Sequence, residues 1–168
     1  MTSFAERLAF GRNAERLVAE VLQHRFGCHV VPIYDYNGQD KAPKLQGALR
    51  GYVVPDLDVS KDGERSWVEV KAKSNQGSLT RSTGRVEHGF SWRLFREYQA
   101  VQRITGTAVF IVVFETVTGE LLYQSLDVLD TVKRVYDGDK MDRGGTVFFP
   151  RDSFIAWCTL AAPEETAA

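Results

Sequence analysis

The sequence predicts an α/β fold: a single domain in which a central mixed β-sheet is flanked by helices. Three observations predict it. An N-terminal segment has helical apolar periodicity, two β-rich runs meet at an Asp-Gly turn, and the inferred elements follow the order helix, strand, hairpin, helix, strand, strand. The 168 residues are enough for one domain with a sizeable core. We expect this domain to span residues 1–160, with residues 161–168 as a disordered tail.

The elements are predicted in chain order. Ser3 and Glu6 have capping-box spacing, which predicts a helix over about 3–25. One face of this helix carries Phe4, Leu8, Gly11, Glu15, Val18 and Leu22. The remaining predictions are a strand at 28–36, a loop at 35–51, a hairpin at 52–60 and 65–73, a mobile loop at 74–89, a helix at 90–105 ended by Gly106, strands at 107–115 and 120–126, a short helix at 127–136, a turn-rich stretch at 137–145, and short elements near 146–149 and 152–160.

Composition excludes several classes of protein. Hydrophobic residues make up 43% and charged residues 26%, which is ordinary for a globular chain. The longest apolar run, 108–114, is far too short to span a membrane, and the first residues lack the apolar core of a signal peptide. Cys28 and Cys158 have no partners at zinc spacing. We therefore expect a cytoplasmic protein that has no membrane partner.

The charge is unevenly distributed although the net charge is only −1. Between residues 71 and 103 there are seven Lys or Arg and two acids, so this segment carries +5 and the rest of the chain −6. A basic segment of this kind predicts a phosphate-binding surface, although it is equally typical of solvated side chains on a loop and a helix. The residues we expect to contact DNA are Lys73, Arg81, Arg85, Arg93 and Arg96.

The central hairpin places acids on one face. If Asp62-Gly63 forms a two-residue turn, Lys61 faces Glu64 and the register sets Asp56 opposite Glu69. Because side chains alternate along a strand, one face collects polar groups while the other is a core face. The first face carries Asp56, Asp58, Trp67, Glu69 and Lys71, and the second carries Pro55, Leu57, Val59, Val68, Val70 and Ala72.

Asp56 and Glu69 form an unfavourable pair on their own. Like charges directly opposite each other destabilise an antiparallel pair by roughly 0.2–1 kcal/mol. Two such carboxylates are well placed to hold a divalent cation, and Mg²⁺ prefers one or two protein carboxylates. If the first helix covers the sheet near its open end, Glu15 converges on them. The alternative is an exposed sheet face whose charges only increase solubility.

A family resemblance is carried by these residues. Pro55-Asp56, twelve intervening residues and Glu69-Val70-Lys71 resemble the signature of the PD-(D/E)XK nuclease superfamily. Gly11-x-x-Ala14-Glu15 resembles the helical glutamate motif of its resolvase-like and phage-type branches. The resemblance covers residues 11–115 and implies a restriction-endonuclease-like core with the element order αβββαβ.

The resemblance also implies an activity, that of a metal-dependent DNA nuclease, preferably an endonuclease. It implies Asp56, Glu69 and the Val70 carbonyl as ligands of Mg²⁺, with Mn²⁺ as a substitute, and Glu15 as a ligand directly or through water. Lys71 would lie beside the attacking water. A homodimer is compatible with this reading, but no feature of the sequence indicates the form or base sequence of the substrate.

Three residues are weaker candidates for accessory roles. Tyr98 and Gln102 lie on the sheet-facing side of the second helix, and they resemble the Gln-x-x-x-Tyr pair of some branches in reversed order. His88, expected in a loop, could contact a phosphate or transfer a proton. A core tyrosine and an incidental histidine are the alternatives. Two other functions remain open as well: a DNA-binding or assembly module that keeps the fold without cutting, and a scaffold with no nucleic-acid partner.

Overall fold

The structure is a computed structural model that describes residues 4–33, 43–136 and 144–160. Its helices are α1 (Phe4–Phe26), α2 (Trp92–Thr105) and α3 (Leu126–Val132), and a 3₁₀ turn lies at Arg151–Ser153. The strands within the described residues are β1 (His29–Pro32), β2 (Lys44–Gln46), β3 (Gly51–Val53), β4 (Leu57–Lys61), β5 (Glu64–Lys73), β6 (Ser78–Thr80), β7 (Arg85–Ser91), β8 (Ala108–Glu115), β9 (Glu120–Ser125), β10 (Arg134–Tyr136), β11 (Thr146–Pro150) and β12 (Ile155–Thr159).

A six-stranded sheet, here called the central sheet, has the order β1-β4-β5-β8-β9-β12. Its neighbouring strands are antiparallel except for β5 and β8, which are parallel, so the sheet is mixed as predicted. The crossover between β5 and β8 contains β6, β7 and α2. A second sheet has the order β10-β11-β7-β6, and β2 pairs with β3. The predicted α/β fold is confirmed.

The central sheet is covered differently on its two faces. α1 packs on one face, where Val18 and Leu22 join Leu57, Val68 and Val70 in a core cluster. α2 and the second sheet pack on the other face. The core cluster on that face includes Trp67, Phe95, Val101, Ile111 and Phe149. The alternation predicted for the hairpin therefore sorts its side chains into two separate cores.

The predicted register of the hairpin is confirmed from Leu57 opposite Val68 to Lys61 opposite Glu64. Asp62 and Gly63 both have positive φ, at 51° and 85°, which suits a tight turn between twisted antiparallel strands. The ladder stops at Leu57, however, so Asp56 is not a ladder partner of Glu69.

Several predicted loops contain strands instead. The 35–51 loop includes β2 and the first residue of β3 in its described part, and the 74–89 loop contains β6 and most of β7. The strand predicted at 52–60 is divided into β3 and β4. β7 is held by pairing with β11, a partner more than fifty residues away that local periodicity does not reveal. The second helix begins at Trp92 rather than Phe90, because the Ser91 hydroxyl caps it by accepting from Leu94 N–H.

The other predicted boundaries shift by a few residues. The short helix expected at 127–136 ends at Val132 and is followed by β10. Gly106 ends α2 with φ of 66°, as predicted. The cap at Ser3, the side chains of Phe4 and Leu8, the stretches 34–42 and 137–143, and the predicted tail 161–168 lie outside what the structure describes.

Candidate active site

Asp56 lies in the short link between β3 and β4 and is fixed through its backbone and its side chain. Its carbonyl accepts a hydrogen bond from Ile33 N–H at 2.9 Å. Its Oδ2 accepts one from Val70 N–H, also at 2.9 Å. The carboxylate therefore binds the edge of β5 next to Glu69, although the two residues are not paired in the ladder.

Glu69 and Lys71 lie two residues apart on β5, so their side chains share one face of a strand in the middle of the central sheet. The Glu69 side chain is 1% exposed, and its Oε1 forms an ion pair with the Lys71 ammonium. Its Oε2 is buried and has no hydrogen-bond partner among the residues that the structure describes. A buried carboxylate oxygen without a donor is costly, so this atom is a marker of a missing positive partner.

Glu15 reaches the same region from α1. It lines a groove together with Val70 and Lys71, although α1 packs on the sheet face opposite to the Glu69 side chain. Burial raises the pKa of Glu15, and the negative charge of Glu69 raises it further. The Glu69 charge therefore acts on Glu15, but the convergence of Glu15 on the hairpin acids stays a prediction.

The site holds more negative charge than its single ammonium compensates. The pKa of Asp56 is well above its usual value, first because of burial and then because of the charges on Glu69 and Glu15. Burial alone would lower the pKa of Lys71, but the carboxylates of Glu69 and Asp56 outweigh it and hold this pKa above its ordinary value. Lys71 therefore stays protonated, and the acids favour a further cation.

The donor set fits a hard divalent cation. Asp56 and Glu69 supply two carboxylates, and Mg²⁺ usually takes one or two together with water and substrate oxygens. The unpartnered Glu69 Oε2 is the atom that such an ion would satisfy. Across residues 4–33, 43–136 and 144–160, no group of three or more His, Cys, Asp or Glu side chains is close enough to hold a metal ion. Glu15 therefore does not complete a three-carboxylate cluster.

Tyr98 and Gln102 have different surroundings. Tyr98 is buried, and its pKa is raised well above the usual value by burial and by the charges of Glu69 and Asp56. Gln102 is engaged elsewhere: its Nε2 donates to Asp127 Oδ1 at 2.6 Å, and its Oε1 accepts from Val109 N–H at 2.9 Å. The structure brings Tyr98 to the carboxylates and uses Gln102 to join α2 to its neighbours.

The prediction of His88 in a loop is wrong, because His88 is a buried residue of β7 that is 1% exposed. Its Nε2 lies 2.8 Å from Glu115 Oε1. Arg151 donates to both oxygens of Glu115, at 2.8 and 2.7 Å. Sequence reasoning missed this network, although Glu115, a charged residue at the end of the apolar strand β8, was a visible signal.

The predicted DNA contacts divide into exposed and engaged side chains. Arg81, Arg85, Arg93 and Arg96 are exposed. Lys73 is half-buried: its Nζ donates to Gly89 O at 2.6 Å and lies 4.9 Å from the centre of the Phe90 ring. Lys73 therefore also links β5 to the second sheet.

Asp58 is separate from the carboxylate site. Both of its oxygens accept from the Arg65 guanidinium, at 2.8 and 2.7 Å. This pair accounts for the third acid on the polar face of the hairpin.

Two openings meet at Lys71. The larger is a groove of about 820 Å³ between α1 and the base of the β6–β7 hairpin, with residues 70–75 as its floor. The smaller is a cavity of about 320 Å³ beside α2, lined by Tyr98, Phe90 and Ser91. Lys71 is therefore reachable from outside, whereas Asp56 and Glu69 do not line either opening.

The fold is similar to that of a solved nuclease, in line with the restriction-endonuclease-like core that the sequence resemblance implied. Among solved structures, the chain is similar to Hjc, a Holliday junction resolvase from Archaeoglobus fulgidus, with a TM-score of 0.55 and 11% identity over 86% of this chain and 91% of that chain. It is also similar to a nuclease from a fusselovirus, with a TM-score of 0.48 and 10% identity over 93% of this chain and 89% of that chain.

Similarity to known proteins is found only at the level of structure. No protein-family model matches the chain, and no curated protein matches it. None of the described helices has the length and apolar character needed to cross a membrane.

Proposed function

We propose that this protein is a metal-dependent DNA endonuclease that hydrolyses phosphodiester bonds at the site formed by Glu15, Asp56, Glu69 and Lys71. The observation that carries the proposal is the buried, unpartnered Oε2 of Glu69. Glu69 lies beside the Asp56 carboxylate and the Lys71 ammonium, and Lys71 lines an open groove. The fold shared with a Holliday junction resolvase supports the same class of activity.

Mg²⁺, or Mn²⁺ in its place, would be held by Asp56, Glu69 and the Val70 carbonyl, with Glu15 acting through water. When bound, such an ion lowers the pKa of water and neutralises charge on the phosphate. The negative charge that raises the pKa of Asp56 is the charge that this ion would compensate.

The protein side chains supply orientation and charge. Lys71 is fully protonated because its pKa is raised, so its ammonium stabilises the charge that develops on the phosphate oxygens. Glu15 has a raised pKa and borders the groove, so it is suited to accept a proton from water held there. Tyr98 remains protonated, because burial and the charges of Glu69 and Asp56 raise its pKa.

The substrate we propose is DNA, bound through the exposed Arg81, Arg85, Arg93 and Arg96. One chain carries one such site, so a homodimer would allow both strands to be cut at one place. Cys28 and Cys158 are unpaired thiols, which suits a cytoplasmic location.

The test is cleavage of plasmid and oligonucleotide DNA with Mg²⁺ or Mn²⁺ by the wild type and by Asp56→Asn, Glu69→Gln and Lys71→Met. We expect each variant to lose about 10²- to 10⁴-fold in rate, the range for removing a charged catalytic group. DNA binding in EDTA should persist, because the arginines remain. Asp58→Asn is the matched control, since Asp58 pairs with Arg65 outside the site, and it should cut normally.

Two results would count against the assignment. If any of the three variants cuts at the wild-type rate, the site is wrong. If the wild type binds DNA but cuts no form of it with either metal, the protein is the non-cleaving DNA-binding module that the sequence left open.

A further inference from the structure

The hairpin of β6 and β7 exposes a pair of apolar side chains. Leu79 is 68% exposed and Val86 is 40% exposed, and the two residues face each other across the strands. Val86 alternates with His88 and Phe90, both buried, so it lies on the face of the second sheet that packs on the core. On this face of the second sheet, His88 and Phe90 are covered by the core, whereas Leu79 and Val86 extend beyond it and form an exposed apolar pair.

The base of this hairpin is firmly anchored. Thr80 Oγ1 donates to Glu87 Oε2 at 2.6 Å, and the Arg134 guanidinium also binds Glu87. Gly77 has φ of 100°, and a Cβ there would lie 2.8 Å from Val86 Cγ1, so the chain enters β6 in close contact with β7. The apolar pair is thus carried by two paired strands that are joined by side-chain hydrogen bonds, rather than by a loop.

The hairpin stands beside the carboxylate site. Its base, including Gly77, Ser78 and His88, forms one wall of the 820 Å³ groove. The opposite wall carries Glu15, and Lys71 lies in the floor. A ligand that reaches Lys71 through this groove therefore passes the base of the hairpin.

The charge of the hairpin selects a polyanion. Residues 78–86 contain Arg81 and Arg85 and no acidic residue. Both arginines are exposed, at the turn and at the start of β7. Cationic side chains next to an exposed apolar pair match a nucleic acid in which base faces, and not only phosphates, are accessible. A continuous duplex offers its phosphates but keeps its base faces stacked.

We propose that the β6–β7 hairpin is a wedge for DNA. Arg81 and Arg85 hold phosphates, and Leu79 and Val86 press against bases that have left the stack. The preferred substrate is accordingly DNA with an interrupted stack, such as a nick, a bubble or a branch, rather than continuous duplex. This inference rests on the proposed nuclease function and deepens it by naming the class of substrate.

The wedge is tested with Leu79→Thr/Val86→Thr, and with Ile104→Thr as the matched control. Ile104 is also an exposed aliphatic residue, at 55%, but lies in the last turn of α2. Binding is measured in EDTA to bubble and continuous duplexes that carry 2-aminopurine, whose fluorescence rises when it unstacks. We expect the wild type and Ile104→Thr to raise the fluorescence and to prefer the bubble by about tenfold, and the double variant to lose both effects.

The arginines have a separate signature. Arg81→Ala or Arg85→Ala should weaken binding to both DNAs equally and reduce the slope of log affinity against log salt by about one. Arg103→Ala, at the end of α2 with Ile104, is the control and should leave that slope unchanged.

Three outcomes would overturn the wedge. The first is a double variant that retains the fluorescence change and the preference for the bubble. The second is a wild type that shows no such preference. The third is a double variant that alters the oligomeric state while its DNA binding stays intact, which would make the pair a protein interface. Because binding is read without metal and can be repeated in Glu69→Gln, the wedge can fail while cleavage persists, and the nuclease proposal can fail while the wedge persists.

Discussion

Two sets of buried acids lie on the same side of the central sheet, and they are treated in opposite ways. Glu87 and Glu115 are 3% and 0% exposed, and each binds an arginine through both of its oxygens. Asp56 and Glu69 share one lysine ammonium with Glu15, and Glu69 keeps an unpartnered oxygen. The pKa of Glu87 is lowered, chiefly by the hydrogen bond from Arg134, whereas the pKa of Asp56 is raised by its burial and by neighbouring acids.

The contrast separates carboxylates that have a full set of positive partners from those of the candidate active site. A buried acid is compatible with a stable fold when a guanidinium donates to both of its oxygens, as at Glu115. An acid cluster that remains short of positive charge lowers stability, and it persists where a ligand makes up the difference. Incomplete compensation, rather than burial itself, therefore marks the candidate active site.

The largest effect on stability is expected when a compensated acid loses its partner. Arg151→Met leaves Glu115 buried with His88 as its remaining polar neighbour, and breaking such a pair costs about 3 kcal/mol of unfolding free energy. Urea denaturation measures this loss. Arg103→Met, an exposed arginine at the end of α2, should change the value little. Cleavage per folded molecule should be retained, and its loss without destabilisation would place Arg151 in the functional set.

A change of the opposite sign in unfolding free energy is expected at Asp56, whose charge is not fully compensated. Asp56→Asn should raise the unfolding free energy near neutral pH by about 1 kcal/mol, the usual gain when uncompensated functional charge is removed. Because the pKa of Asp56 is raised in the folded state, this gain should shrink as the pH falls and the wild-type carboxyl becomes protonated. Asp58→Asn is the control: it loses the ion pair with Arg65, so its unfolding free energy should not rise. A clear loss of stability in Asp56→Asn would remove the contrast.

The smallest expected effect is the pH dependence of the unfolding free energy that arises from His88 and Glu87. The pKa of His88 lies below its ordinary value of 6.5, mainly because of burial, so the unfolded chain takes up a proton that folded His88 resists. The unfolding free energy should therefore fall as the pH drops through 6.5. It should fall again in acid, where Glu87, whose pKa is lowered, becomes protonated. Chemical denaturation from pH 8 to about 2 measures both steps, because the Glu87 step lies below the ordinary carboxyl pKa of 4.5, and His88→Gln should lack the first.

Local sequence signals were enough for the hairpin and for most of the site. Asp62-Gly63 fixed the register, and strand alternation placed Glu69 and Lys71 on one face. The pairing of Asp56 was only partly right, because the ladder ends at Leu57 and Asp56 instead accepts from Val70 N–H. The chemical roles of these residues stay predictions.

Contacts between distant segments were beyond sequence reasoning. β6 is short and largely polar, and it pairs with β7. β7 in turn pairs with the distant strand β11, which local periodicity does not reveal. His88 was read as a loop residue because its partners Glu115 and Arg151 come from β8 and the 3₁₀ turn. Periodicity identified α1 but does not specify which face of the sheet a helix covers.

The parallel pairing of β5 with β8 has a consequence for the order of folding. β4 and β5 are joined by a two-residue turn, so they can associate early, whereas β8 must close across the whole β6–β7 and α2 crossover. Asp56 and Glu69 would then be brought together before the crossover is complete. A ribosome-bound fragment ending near residue 80 would already carry both acids while it still lacked α2 and β8, so the candidate site would be complete only as the C-terminal half emerged.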